Sequence, residues 1–349
     1  MRNGSLPSNI YDRAVYKPIY KYNKDRGTIC AADSTSLCFA PVTVSGEVEA
    51  EDPAAKEILN TYMLRLIGNC IAAFRAVPDT VGFDLTLPVS AEESDLRTIM
   101  GILIEVCSAR DMSIGKAVIR SSEGVSVPQV YMTAYPVRGA QPCLTGEGPA
   151  AKKKPDHAGA GIVMTGFAGA SGTVILAAGH GEILKKHFND SYCDRIRNVP
   201  LAGTEDLRTL CESFAKETDS EDAGTGYIRP VGEGGVYAAL WDLSEDMNLG
   251  FDVELKSIPI LQETVELCNC LDVDPYEMSS DGAFLIVTAD PEGLMGRLSE
   301  RNMDSALIGC LTRERSRAII NRDEIRCLNR PDMDEILRLN ITESSTGGR

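Results

Sequence analysis

The feature that most limits the fold is a change of hydrophobic period that recurs along the first half of the chain. Between Asp52 and Pro78, residues Ile58, Leu59, Tyr62, Met63, Leu66, Ile67, Cys70, Ile71 and Phe74 repeat at helical spacing. Asp52 is placed to cap this helix, Pro53 suits its first turn, and Pro78 stops it. Residues 81–87 then alternate as a strand does, up to Pro88. A second helix is expected over 91–110, with Leu96, Ile99, Leu103, Val106 and Cys107 on one face, and strands over 114–120 and 127–137. Two strand-like runs, 28–32 and 37–45, precede them, so the order is ββαβαβ followed by one more strand. This alternation predicts a layered α+β or α/β domain and argues against a helical bundle or a β-sandwich.

Residues 139–160 break the pattern. They are rich in Gly, Pro, Ala and Lys and carry no apolar period, which marks a domain boundary. The three lysines at 152–154 read as a solvated part of this linker. The chain of 349 residues therefore divides into a flexible arm (1–27), an N-terminal domain (28–140), a linker (141–160), a C-terminal domain (161–335) and a frayed tail (336–349). In the second domain, strands are expected over 161–165, 251–255, 283–288 and 305–311. Helices are expected over 173–178, 182–188, 204–218, 236–247, 260–270 and 292–301.

Charge and cysteine content narrow the function. The formal charge is -16, which repels the phosphate backbone of DNA or RNA and argues against both as partners. The acidity is uneven: residues 1–150 carry 14 basic and 17 acidic groups, residues 151–349 carry 21 and 34. A small phosphate ligand in the first half is thus compatible with the charge. No run approaches the roughly 18 apolar residues of a membrane span, and the opening residues show no cleavable signal pattern. Eleven scattered cysteines without a C-x-x-C pair, and only three His, read as reduced thiols of a cytoplasmic protein rather than a zinc cage.

No P-loop, G-x-S-x-G elbow, H-E-x-x-H pair or H-R-D segment occurs. The loop at 166–172, GFAGASG, lacks the G-x-G start of a dinucleotide fingerprint. The turn Gly232-Glu233-Gly234-Gly235 precedes a helix, where backbone N–H groups and the helix dipole favour an anion. On physical grounds alone, a tight turn that needs no ligand accounts for it slightly better.

These parts occur in an order that resembles a known family. Val231–Gly235 and its helix, Ile258-Pro259-Ile260, Leu271-Asp272-Val273-Asp274-Pro275 and Ser279-Ser280-Asp281-Gly282-Ala283 resemble the C-terminal domain of the aminoimidazole ribonucleotide synthetase-like (PurM-like) superfamily. Within it, the wording is most similar to the HypE-like and AIR synthase-related branch, of hydrogenase maturation factor type. Upstream, the run 162–172 and NCIAAFRAVP at 69–78 resemble the family's domain-opening turn and an N-terminal helix end. The resemblance implies a two-domain architecture, with an N-terminal ββαβαβ domain that forms a barrel in a homodimer and a C-terminal mixed α/β sandwich. It also implies ATP near the dimer interface, with Mg²⁺ held by aspartates.

Departures from the family pattern define two readings. The metal-binding Asp expected after Asn69 is Cys70, a poor ligand for hard Mg²⁺. Asp33 is the only remnant of an N-terminal acid pair, and Lys116 and Arg120 stand where a glycine-rich nucleotide turn is expected. The first reading is an ATP-dependent phosphoryl-transfer enzyme whose rearranged site is depleted of magnesium ligands. Asp33, Asn69, Lys116, Arg120, Gly232, Glu233, Gly234 and Gly235 would bind the nucleotide or phosphate, and Lys17, Lys21, Lys24 and Arg26 would form a lid. The alternative is a non-catalytic HypE-like dimer that binds a nucleotide, a small phosphate ligand or a maturation partner.

Overall fold

The computed structural model describes residues 42–134, 157–218 and 226–339. The expected arm, the strand at 28–32, Asp33 and most of the linker lie outside these residues. The first sheet is built from β1 (Val42–Glu47), β2 (Thr80–Pro88), β3 (Ser113–Ser122) and β4 (Gln129–Ala134), in the order β1-β4-β2-β3. Only β2 and β3 are parallel, and a bulge at Gly115 shifts their register. Helices α1 (Ala55–Phe74) and α2 (Glu93–Ala109) provide the connections.

Helix α1 starts later and ends earlier than its sequence implies. Asp52 accepts the Ala54 N–H at 2.7 Å, and the helix begins at Ala55. It ends at Arg75 in a left-handed conformation (φ 54°), three residues before Pro78. Strand β1 runs two residues past the expected end at 45, in register with β4 from Val42 opposite Ala134, and residues 37–41 of that expectation lie outside the described residues.

The second sheet has seven strands: β5 (Gly161–Thr165), β6 (Tyr227–Gly232), β7 (Gly250–Glu254), β8 (Ser280–Thr288), β9 (Ser305–Thr312), β10 (Arg317–Asn321) and β11 (Glu324–Cys327). Their order is β11-β10-β7-β9-β5-β8-β6, antiparallel except for β10 beside β7. The helices of this half are α3 (Ala170–Gly179), α4 (Gly181–His187), α5 (Asp190–Arg197), α6 (Thr204–Thr218), α7 (Gly235–Met247), α8 (Gln262–Leu271) and α9 (Pro291–Ser299). Residues 335–339 form a helical turn that runs into the expected tail, with Ile336 and Leu339 packed against the cluster of Leu176, Leu267 and Met278.

Strand β8 is buried along its whole length, with both faces covered. Leu285 and Val287 meet Val236, Leu240 and Leu243 of α7. Phe284 and Ile286 face α1, α6 and α9 in a cluster that continues to Val81, Leu85 and Val130 of the first sheet. Helix α1 therefore lies between the two sheets, touching β1 and β4 on one side and β6 and β8 on the other. A helix buried on two sides is apolar almost all round, which explains its long run of large side chains. Gly68 permits the approach: a Cβ there would stand 3.0 Å from Pro230 of β6.

Candidate functional site

Three chain segments converge where β8 begins: the turn after β5, the turn after β6 and residues 278–282. Gly169, at φ 67°, is the N-cap of α3 and donates its N–H to Ser280 Oγ at 2.7 Å. Ser171 Oγ accepts the Asp281 N–H at 2.8 Å and donates to the Asp281 carboxylate at 3.3 Å. Gly234 and Gly235 have φ values of 75° and 67°, the left-handed region that glycine tolerates. A Cβ on Gly235 would stand 2.4 Å from the Tyr276 carbonyl oxygen, so this turn needs glycine for close backbone approach as well.

The first half of the chain enters the site through Arg65 of α1. Its Nε and Nη2 donate to the two oxygens of Asp281 at 2.9 and 3.2 Å, and its Nη1 donates to Glu233 at 2.7 Å. Asp281 is fully buried at its side chain, and Arg65 is 18% exposed. Burial opposes the charged guanidinium, but attraction to Asp281 and then Glu233 outweighs it and holds Arg65 above its ordinary range. The forked contact fixes geometry as well as charge.

The N-terminus of α7 already holds an anion of the protein itself. Gly234 N–H donates to Asp334 Oδ2 at 2.8 Å, and Ser279 Oγ donates to the same oxygen at 2.6 Å. Asp334 is 4% exposed. Burial raises its pKa above the ordinary value, against the lowering effect of the Ser279 and Gly234 hydrogen bonds.

The expected site residues separate into two places. Glu233, Gly234 and Gly235 form the turn beside Arg65, whereas Gly232 is the last residue of β6. Asn69 lies one helical turn beyond Arg65, half-buried on the same face of α1. Arg120 lies elsewhere. It pairs in register with Thr86, which alternates with the buried Leu85 and Leu87, so it belongs to the sheet face turned away from α1 and α2. There it donates to Asp84 at 2.5 Å, with the exposed Tyr131 on the same face. Lys116 is on the same strand, opposite Gly82. Asp33 lies outside the described residues.

Cys70 does not fit the role of a Mg²⁺ ligand. It is 1% exposed among Leu66, Ile67 and Ile71 in the apolar cluster, and burial pushes its thiol up to about 12. A protonated sulfur in an apolar setting offers nothing to a hard cation. Among the described residues, no group of three or more His, Cys, Asp or Glu is placed to hold a metal ion.

Sequence reasoning missed Arg65, Ser171, Asp281 and Asp334 as site residues. Two of them carried a signal. Arg65 interrupts the apolar run of a helix buried on two sides, and Asp281 stands just before the apolar run 282–287 of its strand.

No protein-family model matches the chain, and no curated protein sequence matches it. Solved structures do. HypE of E. coli superposes with a TM-score of 0.60 at 16% identity, over 86% of this chain and 88% of that one. The HypE–HypF complex gives 0.59 at 13% identity, over 89% and 99%. AaThiL complexed with AMPPCP and TMP gives 0.56 at 12% identity, over 93% and 97%. The likeness covers 86–93% of this chain and 88–99% of these neighbours, and the chain therefore has their two-domain PurM-like fold.

Proposed function

We propose that this protein binds a nucleotide in a PurM-like homodimer and uses it for ATP-dependent phosphoryl transfer at a rearranged site that does not depend on the usual magnesium aspartate. The observation that carries the proposal is the extent of the structural likeness. It runs over both halves of the chain to proteins solved with nucleotides, HypE with ATP and AaThiL with AMPPCP.

The outer face of the four-stranded sheet supports the location. Among the described residues no helix covers it, and it carries Arg120, Asp84 and Tyr131. A second copy laid on this face would enclose Arg120 at the interface, with the backbone position of Lys116 four residues earlier on the same strand. Cationic side chains there would bind and orient phosphate oxygens by charge-assisted hydrogen bonds. Bound ATP would supply the transferable phosphoryl group, and closure by the partner would keep water away from it. The cytoplasm is the proposed compartment.

A second reading has an observation of its own. Asp334 occupies the Gly234 N–H, and Cys70 is embedded in the core. Both favour a HypE-like dimer that binds a nucleotide, a small phosphate ligand or a maturation partner without turnover. Calorimetry with ATP, with and without Mg²⁺, separates the readings when ADP and AMP release is followed in parallel. Saturable heat with turnover that Lys116→Ala abolishes supports the enzyme. Heat without turnover supports the binding protein. If neither ATP nor ADP gives heat under either condition, the enzyme reading fails, and the second reading loses the nucleotide as its ligand.

A further inference from the structure

The turn after β5 has two sides. Strand β8 lies on one edge of β5 and β9 on the other. Toward β8, the turn contributes Gly169 and Ser171 to the Arg65 site. Toward β9, Gly166 and Phe167 border a separate cavity of about 400 Å³. Much of its wall is apolar: Ile258 is buried, and Phe167, Pro259 and Ile260 are half-buried. The wall is also fixed. The Ala168 N–H donates to the Pro259 carbonyl at 2.8 Å, and Ala168 forms a β-bridge with Ile260, so the turn and the segment after β7 are tied together.

Two charges of opposite sign line this cavity from different elements. Lys256 and Ser257 belong to a single helical turn after β7 (Leu255–Ser257), and Asp304 and Ser305 lead into β9. The helical turn packs against β9, which brings both pairs to the same cavity. Among the described residues, none of these four side chains has a hydrogen-bond or ion-pair partner, and Lys256 and Asp304 do not pair with each other. Elsewhere in this half opposite charges close on one another, as Arg229 does on Asp242 and Asp246. The cavity therefore presents one free cation and one free acid, each with a hydroxyl next to it in the chain.

We infer that this cavity is a binding site for a free amino acid with an apolar side chain. The ligand's carboxylate meets Lys256 and Ser257, its ammonium meets Asp304 and Ser305, and its side chain lies against Phe167, Ile258 and Ile260. A simple anion would be opposed by Asp304 and a simple cation by Lys256, whereas a zwitterion satisfies both. Each hydroxyl adds direction, because serine donates to a carboxylate and accepts from an ammonium. An apolar wall with a few convergent polar groups is also the general form of a small-molecule site.

The test is calorimetry on the full-length protein with L-phenylalanine and with two analogues that each lack one charged group. 3-Phenylpropanoate has no ammonium, and phenethylamine has no carboxylate. Saturable binding of L-phenylalanine is expected, with both analogues weaker by about threefold or more, the scale of partly exposed ion pairs. Lys256→Met is expected to weaken L-phenylalanine without weakening phenethylamine, and Asp304→Asn to weaken it without weakening 3-phenylpropanoate. Both side chains are exposed, and the analogue series needs only the wild-type protein. No saturable heat with L-phenylalanine overturns the proposal. So does 3-phenylpropanoate binding as tightly, the mark of a simple anion site, or phenethylamine binding as tightly, the mark of a simple cation site. L-phenylalanine binding unchanged in either variant also overturns it, because that charge would then take no part.

Discussion

Two arginine–carboxylate contacts in this molecule have the same chemistry and different surroundings. Arg65 and Asp281 meet between the two sheets, where the carboxylate is fully buried. Arg120 and Asp84 meet on an open sheet face, 62% and 35% exposed at their side chains. Water screens the second pair and competes for it, so it contributes little to stability. The first pair cannot exchange its partner for water, and each ion depends on the other. One contact therefore joins the halves of the chain, while the other leaves a cation and its neighbours accessible to a ligand.

Removing Arg65 gives the largest expected effect. Arg65→Ala strands the buried Asp281 carboxylate with the Ser171 hydroxyl as its remaining side-chain partner, and breaking a buried pair in this way costs about 3–5 kcal/mol. Arg65→Lys keeps the charge and loses the fork, so it recovers only part of that loss. Urea denaturation of both variants measures it. A loss below about 1 kcal/mol for Arg65→Ala, the range of exposed pairs, would erase the contrast between the two contacts.

The glycine turn beside this contact comes next. Gly235→Ala forces a side chain into the left-handed region, a cost of about 1–2 kcal/mol, and drives its Cβ against the Tyr276 carbonyl. The same change at Gly101, where an added Cβ meets nothing within 4 Å, is expected to be neutral or mildly stabilising because alanine favours helix. Comparing the two by thermal unfolding tests whether close approach, rather than glycine content, shapes the site.

How much of this was visible in the sequence depends on what each element is made of. Strand β5, at 161–165, and helix α6, at 204–218, coincide with their expected ranges because their own residues carry the pattern. Helix α5 escaped because it is short and polar, burying only Cys193 and Ile196. Hairpin β10–β11 escaped because β11 is exposed throughout and shows no alternation. The helix expected over 260–270 begins at Gln262, since Pro259 and the bridge from Ala168 to Ile260 keep the preceding chain extended. At the site, glycines and Glu233 were legible as a turn before a helix. The pairing of Arg65 with Asp281 was not, because 216 residues separate them and only the packing of α1 against β8 brings them together.

Asp334 offers a smaller effect, read through pH. Its pKa is raised in the folded protein, so the native state binds its proton more tightly than the unfolded chain does. The contribution to stability is therefore most favourable below the ordinary carboxylate value. It falls as pH rises from there to the raised folded value, by up to about 1.4 kcal/mol for each pH unit of that window. Asp334→Asn keeps an oxygen for the Gly234 N–H and removes the titration. The variant is expected to lose this downward slope on the acid side, which urea melts at several pH values would show. Identical slopes would mean that Asp334 is not the group being protonated.

Arg120→Ala has the smallest expected effect on stability and the most direct bearing on the comparison. Its partner Asp84 is partly solvated, so the loss should stay within about 1 kcal/mol. Under the proposed function the same variant loses a phosphate-binding cation, and ATP affinity should drop while the unfolding midpoint barely moves. Arg65→Ala should show the reverse at a temperature where it is still folded: large destabilisation, with nucleotide affinity changed only as far as the joint between the sheets positions the outer face. If Arg120→Ala lowered stability as much as Arg65→Ala, the second copy proposed to sit on this face would depend on the Arg120–Asp84 contact itself. Sedimentation of the two variants beside the wild type tells these cases apart, because only a covered face links the loss of Arg120 to dissociation.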